Sequence, residues 1–273
     1  MQPDQQALID LTRRAGDAIL EIYESDFDVE TKDDESPLTK ADLAAHRIIT
    51  EGLAALTPEI PVVSEESEPP DYATRSGWPR YWLLDPLDGT KEFINKNGEF
   101  TVNIALIEHQ QPVYGVVGVP AQGTVYTGDV GRGVAEKHGA TGSERLHGRA
   151  MQEGGPVVVV ASRSHGGERL ESYIEALGER FAEVRRTPVG SSLKLCILAE
   201  GHADLYPRLG PTSEWDIAAA HAVLEAAGGT LWAADGQPLR YNAKASFLNP
   251  EFIAVADAGF PWKARLPEVP AAE

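Results

Sequence analysis

The apolar segments of this chain change their order halfway along, and that change restricts the fold more than any other feature. Two helical patterns and a run of strands come first; strands and helices then alternate. Leu8, Leu11, Ala15, Ala18, Ile19 and Ile22 recur at steps of three or four, which predicts a first helix. The acidic stretch "SDFDVETKDDESP" reads as a loop. A second helix is expected from near Thr39, with Ala41, Ala44, Ala45, Ile48, Ile49, Leu53 and Leu56 at its apolar positions and Pro58 and Pro61 to stop it. "PVVS" and "YWLL" (81–84) are short strands, "FTVNIALI" and "VYGVVGV" form a hairpin about "EHQQP", and "GTVYTGDVGRG" continues the sheet. In the second half "PVVVVA" is a strand, "ERLESYIEAL" a helix and "SSLKLCILAEG" a helix closing on Gly201. "ADLY" is a strand, "WDIAAAHAVLEAAGG" a helix with a glycine end, and "TLW" and "FIAVA" are strands. The polar, glycine-rich segment 139–155 lies between the two patterns. The expected organisation is an α+β domain over 1–150 followed by an α/β domain over 151–273.

With 273 residues, 42% of them hydrophobic, the chain can bury a sizeable core. It has no uninterrupted apolar run near the ~18 residues that a membrane span requires. The start, "MQPDQQALIDLTRR", lacks a basic segment followed by an apolar one, so no secretory signal is expected there. A single cysteine, Cys196, excludes an internal disulfide and fits a reducing, cytoplasmic setting. Lys+Arg 24 against Asp+Glu 42 gives a formal charge of −18, which repels polyanions and argues against nucleic acid as a partner. A protein this acidic that handles a small anion needs a local source of positive charge, and bound metal is one.

Four groups of acids stand at element ends. Asp85 and Asp88 flank Pro86 and Leu87 where an apolar strand stops; proline fixes its own φ and biases Asp85 towards extended geometry, so both carboxylates can face one point. Gly89 lets the backbone approach an anion, and the Gly89 and Thr90 N–H groups can point at phosphate oxygens if a helix starts there. An acidic turn with Asp88-Gly89 as its turn chemistry explains the same residues. Glu65 follows the "PVVS" strand, where a solvated charge run is the plain alternative. Asp216 lies at the start of an apolar helix, where capping or dipole pairing would account for it. Asp42 stands three residues after Thr39, a spacing close to a capping box. As a set, these acids are hard oxygen donors with no histidine or cysteine at ligand spacing, which suits Mg²⁺ or Mn²⁺ and not Zn²⁺. His221, on the Asp216 helix, reads as packed rather than catalytic, and "SRSHGGE" as either a helix cap or a ligand contact.

Two other phosphate chemistries are set aside on the residues. The D-x-D-x-T pattern of aspartyl-phosphate phosphatases would need an acid where Pro86 stands. No G-x-x-x-x-G-K-[ST] occurs, which excludes a P-loop.

"WLLDPLDGTKEF" and "EWDIAAAHAVLEAAGG", with "VVSEES" upstream, resemble both signatures of the inositol-monophosphatase-like, lithium-sensitive phosphatase superfamily, and the resemblance runs from about Leu8 to Val255. "DGTKEF" resembles the branch of 3′(2′),5′-bisphosphate nucleotidases, which convert adenosine 3′,5′-bisphosphate (PAP) to AMP and phosphate in sulfur metabolism. The resemblance implies a layered αβαβα sandwich with the site between the halves. It implies that Glu65, Asp85, Asp88, Asp216 and the Leu87 carbonyl hold two or three Mg²⁺ ions, for which Mn²⁺ can substitute. Asp42 and Thr90 would take a proton from the attacking water, and Gly89 and Thr90 would cradle the scissile phosphate. Of the metal-binding residues, Glu65, Leu87, Asp88 and Asp216 would also face the substrate. "SRSH" and "GSSLK" suggest Ser162, His165, Gly190 and Lys194 on the nucleotide side. One departure is the lack of an evident aromatic pair to clamp adenine. Sister activities on inositol monophosphate or fructose 1,6-bisphosphate are the nearest alternatives, and a non-catalytic nucleotide or metal sensor the more distant one. The expected location is the cytoplasm, with peripheral attachment to the inner membrane as the alternative.

Overall fold

The computed structural model describes residues 4–25, 37–161 and 167–271. Helix α1 (Gln5–Tyr23) starts at Asp4, whose side chain accepts the Ala7 N–H at 3.1 Å. Helix α2 (Pro37–Leu56) packs against it. Strand β1 (Val62–Ser64), helix α3 (Tyr72–Arg75), strand β2 (Arg80–Asp88) and helix α4 (Thr90–Ile94) follow. The chain then forms β3 (Thr101–Glu108), β4 (Gln111–Val119), β5 (Thr124–Asp129), β6 (Val134–Gly139) and β7 (Gly142–Leu146). The second half comprises β8 (Val157–Ala161), α5 (Glu168–Leu177), β9 (Val184–Pro188), α6 (Leu193–Ala199), β10 (Leu205–Arg208), α7 (Glu214–Ala226), β11 (Thr230–Ala233), β12 (Phe252–Val255) and α8 (Trp262–Arg265).

Strands β1 to β7 form one sheet in sequence order, antiparallel except for the parallel β1–β2 pair. A second sheet has the order β11-β12-β10-β8-β9. Both faces of the first sheet are covered, so its central strands are apolar throughout. Trp82, Leu84, Ile104, Leu106 and Val116 face α1 and α2, where Leu8, Ile19, Ile49 and Leu53 are fully buried; each such aliphatic side chain contributes roughly 1.5–3 kcal/mol. Tyr81, Leu83, Ala105, Ile107 and Val117 face α6 and α7. The other side of those helices meets Val160, Tyr206, Phe252 and Ala254 of the second sheet. Val157, Val159, Leu205, Ile253 and Val255 face outward onto α5 and Trp262 of α8. The result is the αβαβα sandwich that the motifs imply.

Helix α7 lies unusually close to the first sheet, for a reason visible in two glycines. Gly115 on β4 and Gly128 on β5 are ladder partners. A Cβ at Gly115 would stand 2.1 Å from the Ala219 carbonyl oxygen, and one at Gly128 would stand 2.5 Å from Val223 Cα. These gaps let an alanine-rich helix, with Ala218, Ala219, Ala220 and Ala222 buried, rest on the strands. Any larger residue at 115 would lift α7, and Asp216 with it.

Several boundaries differ from the sequence expectation. β2 does not end at Leu84 but continues to Asp88, with a register shift between Asp85 and Asp88 against β3. Pro86 has no N–H to give the ladder, and the irregularity falls at it. α2 begins at Pro37, so Asp42 is in its second turn and not in a capping box with Thr39. The polar segment after residue 133 contains the β6–β7 hairpin, and Val184–Pro188 adds an edge strand that alternation did not reveal.

Candidate active site

The parallel β1–β2 pair sets Ser64 beside Leu84, and Glu65 N–H donates to the Leu84 carbonyl at 3.1 Å. Glu65 therefore leaves its strand next to Asp85. Asp85 is 1% exposed and accepts the Leu87 N–H at 3.1 Å. Asp216, at the N-terminus of α7, closes the group from the other half: Glu65, Asp85 and Asp216 each present a carboxylate oxygen, and these atoms all lie within 4.8 Å of one another. Asp88 stands beside them, accepting the Ser192 N–H at 2.6 Å and facing Thr101 Oγ1 at 3.5 Å.

Acids packed this way resist ionisation. Burial, then Asp88, Glu65 and Asp216, hold the Asp85 carboxyl well above its usual range. Burial and Asp216 push Asp88 up to about 7 against the pull of Lys194 and the Ser192 amide. Burial raises Asp216 to about 6 although the Ser213 amide opposes it. Burial, Glu66 and Asp88 raise Glu65. Asp42, on α2, is pushed up to about 8 by burial and then by Glu66 and Glu65, and its Oδ1 is buried without a hydrogen-bond partner. A cluster of carboxylates whose pKa values burial and mutual repulsion raise, all with hard oxygen atoms, fits a divalent cation such as magnesium or manganese. Glu65, Asp85 and Asp216 are the side chains able to hold it, with Asp88 and the Leu87 carbonyl adjacent.

A cavity of about 330 Å³ opens on this cluster. Of the expected site residues it brings together Glu65, Asp85, Leu87, Asp88, Gly89, Thr90, Lys194 and Asp216. Gly89 has φ of +97°, in the left-handed region that favours glycine, and serves as the N-cap of α4, so Thr90 opens a short helix as anticipated. Asp42 and Gly190 are not part of the lining. No hydrogen bond joins Asp42 to Thr90 among the described residues, and the Gly190 N–H is taken by Glu99 Oε2 at 2.7 Å. Ser162 and His165 lie outside the described residues. His221 is packed, with Nδ1 2.8 Å from the Tyr241 hydroxyl.

Both readings of Asp216 hold together. Its Oδ2 accepts the Ser213 N–H at 2.8 Å in a reciprocal capping box, while the carboxylate also belongs to the acidic cluster.

The sequence reading named Lys194 but missed its neighbours in the lining. Arg208 lines the cavity at the end of β10, and the aromatic ring there is Tyr206. Lys194 is 5% exposed; its Nζ donates to the Ser191 carbonyl at 2.9 Å and lies 5.8 Å from the Tyr206 ring centre. Burial lowers Lys194 to about 8, with Asp88 opposing the fall. Glu66 was also passed over, although the doubled acid of "SEES" offered the signal. Arg208 offered only "LYPRLG", a basic residue ending a short strand.

Known proteins resemble the chain along most of its length. The Inositol monophosphatase family profile matches residues 1–259. The 3′(2′),5′-bisphosphate nucleotidase CysQ of Escherichia coli (strain K12) is 49% identical over 244 residues, covering 89% of this chain and 95% of that protein. The nucleotidase CysQ of Haemophilus influenzae is 34% identical and covers 92% of each chain. The crystal structure of CysQ from Bacteroides thetaiotaomicron, a bacterial member of the inositol monophosphatase family, superposes with a TM-score of 0.81 at 43% identity, covering 92% of this chain and 96% of that one. The match spans both halves of the sandwich and every described residue of the acidic cluster, and the chain belongs to the inositol monophosphatase family.

Proposed function

We propose that the protein is a Mg²⁺-dependent 3′(2′),5′-bisphosphate nucleotidase that hydrolyses PAP to AMP and phosphate. The observation that carries this reading is one cavity lined both by the acids Glu65, Asp85, Asp88 and Asp216 and by the cations Lys194 and Arg208. A substrate with two phosphates suits such a cavity: one is taken at the acids with divalent metal, the other against Lys194 and Arg208. Roughly half identity to a named bisphosphate nucleotidase over nearly all of its length supports the same choice.

A phosphate monoester dianion repels hydroxide, and its spontaneous hydrolysis is among the slowest reactions known. Divalent metal held by Glu65, Asp85, Asp88, Asp216 and the Leu87 carbonyl supplies the charge neutralisation that the reaction needs. The chain's own groups do the rest. Gly89 and Thr90, at the first turn of α4, offer backbone N–H groups to the scissile phosphate. Asp42 is the proton acceptor for the attacking water, with Thr90 as its partner at the substrate; the role requires its ionised form, which burial, Glu66 and Glu65 make strongly basic. Water attacks phosphorus as the P–O3′ bond breaks, so no phosphoenzyme forms. Lys194, held by the Ser191 carbonyl, and Arg208 orient the nucleotide, with Ser162 and His165 assigned to the same side. In this reading residues 1–150 bring most metal ligands and residues 151–273 bring Asp216 and the nucleotide contacts. No helix among the described residues is long and apolar enough to cross a membrane.

The test is phosphate release from PAP, PAPS, inositol 1-phosphate and fructose 1,6-bisphosphate with Mg²⁺. PAP should exceed inositol 1-phosphate by at least about tenfold in kcat/KM, or ~1.4 kcal/mol of transition-state discrimination. Equal or reversed rates would overturn the nucleotidase assignment.

A further inference from the structure

Two carboxylates from the first half of the chain hold the backbone of one short loop in the second. Gly190, Ser191 and Ser192 lead into α6. The Gly190 N–H donates to Glu99 Oε2 at 2.7 Å, and the Ser192 N–H donates to Asp88 Oδ2 at 2.6 Å. Between them Ser191 has φ of +44°, a left-handed conformation that a residue with a Cβ adopts only under constraint. The loop is pinned elsewhere too. The Ser192 hydroxyl donates to Asn103 Oδ1 at 2.7 Å and lies 2.8 Å from Thr101 Oγ1; these two β3 residues are the ladder partners of Asp85 and Asp88. The Ser191 carbonyl receives Lys194 Nζ at 2.9 Å. At Gly190 a Cβ would stand 2.6 Å from Glu92 Cγ, so the side chain of Glu92 occupies the place where any other residue would project. Glu92 and Glu99 belong to the segment after "DGT" whose function the proposed reaction leaves unassigned.

We infer that Glu99 is a positioning residue for the active site. It does not line the cavity, and it acts through the loop. Its own place is set by the turn before it, where the Glu99 N–H donates to Asn97 Oδ1 at 2.9 Å and Phe100 is fully buried next in the chain. By accepting the Gly190 N–H, Glu99 keeps Ser191 in its constrained conformation. That conformation aims the Ser192 N–H at Asp88 and the Ser191 carbonyl at Lys194. One contact outside the cavity thus orients both an acid and a cation of its lining. A carboxylate suits the role because a charge-assisted bond to a backbone N–H is short and strong, and outer groups of this kind fix the direction of the ligands they hold.

The inference rests on the proposed function only in taking Asp88 and Lys194 as site residues, and its test needs no substrate. Glu99→Ala and Glu99→Gln are made in the full chain. Hydrogen exchange is followed in the metal-free proteins across residues 188–195, and Mn²⁺ binding is followed by electron paramagnetic resonance. Glu99→Ala should exchange faster at Gly190 and Ser192 and bind Mn²⁺ about tenfold more weakly. Glu99→Gln keeps an oxygen to accept the Gly190 N–H and should stay within about twofold of the wild type on both counts. Should Glu99→Ala fail to fold, Glu99→Asp, which draws the carboxylate back by one methylene, must show the same faster exchange and weaker binding. Wild-type exchange and Mn²⁺ affinity in Glu99→Ala, or equal damage in Glu99→Gln, would overturn the inference. A wild-type protein inactive on PAP but showing this Mn²⁺ pattern would sink the nucleotidase reading alone.

Discussion

Divalent cation should displace protons from the acidic cluster, and both the number and its pH dependence follow from the structure. Burial foremost, and neighbouring carboxylates after it, lift Asp42 to about 8, Asp88 to about 7 and Asp216 to about 6 from an ordinary value of 3.8, with Asp85 well above that value. At pH 7 the metal-free protein therefore keeps Asp42 mostly protonated and Asp88 about half protonated, and a cation that needs anionic ligands expels on the order of one to two protons. The same shifts fix the sign of the stability change. A carboxyl whose pKa is raised by folding favours the folded state below its unfolded value near 4 and loses that contribution as pH climbs through its folded value. For Asp216 alone the loss is on the order of 3 kcal/mol once pH passes about 8. The melting temperature of the metal-free protein should thus fall between about pH 4 and about pH 8, and Mg²⁺ should restore more of it the higher the pH. Calorimetric titration of Mg²⁺ in buffers of different ionisation enthalpy counts the protons released, and release should decline as pH climbs past about 8. If no protons leave at pH 7, and melting follows the same pH course with and without Mg²⁺, the acids are a structural cluster and the metal site is wrong.

Two further outcomes separate the roles of single groups. Asp216→Asn keeps an oxygen for the Ser213 N–H but loses the ligand charge, so phosphate release should drop by at least about a hundredfold while circular dichroism stays near wild type and the melting temperature does not fall. Ser213→Ala should do the reverse, lowering stability by about 1 kcal/mol with most activity kept; loss of stability without loss of activity in Asp216→Asn would leave only the capping role. Lithium at tens of millimolar should inhibit turnover uncompetitively with respect to PAP, whereas sodium or potassium at equal ionic strength should not; equal inhibition by all three would reduce the effect to charge screening.

What the sequence could reveal divides along physical lines. Buried strands such as Val157–Ala161 and Phe252–Val255 are apolar because both faces are covered, so their runs stand out. Strands β6, β7 and β9 carry Glu136, Lys137, Glu144, Arg145, Arg185 and Arg186, the charged dress of strands at or near a sheet edge, and composition hides them as loops. The acids of the site were legible one at a time, each with a plain structural explanation beside it. For Asp216 that explanation proved true without displacing the other, since a carboxylate has two oxygens and the Ser213 N–H takes one. Convergence was legible only through the family resemblance and not from the residues themselves, because it depends on how closely α7 approaches the first sheet. Gly115 and Gly128 read as ordinary strand glycines, yet their missing side chains admit α7 to the distance at which Asp216 joins Glu65 and Asp85. The hold of Glu99 on Gly190 is hidden in the same way: each residue sits in an unremarkable turn, and only the packing of the two halves sets a carboxylate 2.7 Å from that N–H. Side-chain types announced the chemistry, then, while its assembly was written in residues chosen for what they lack.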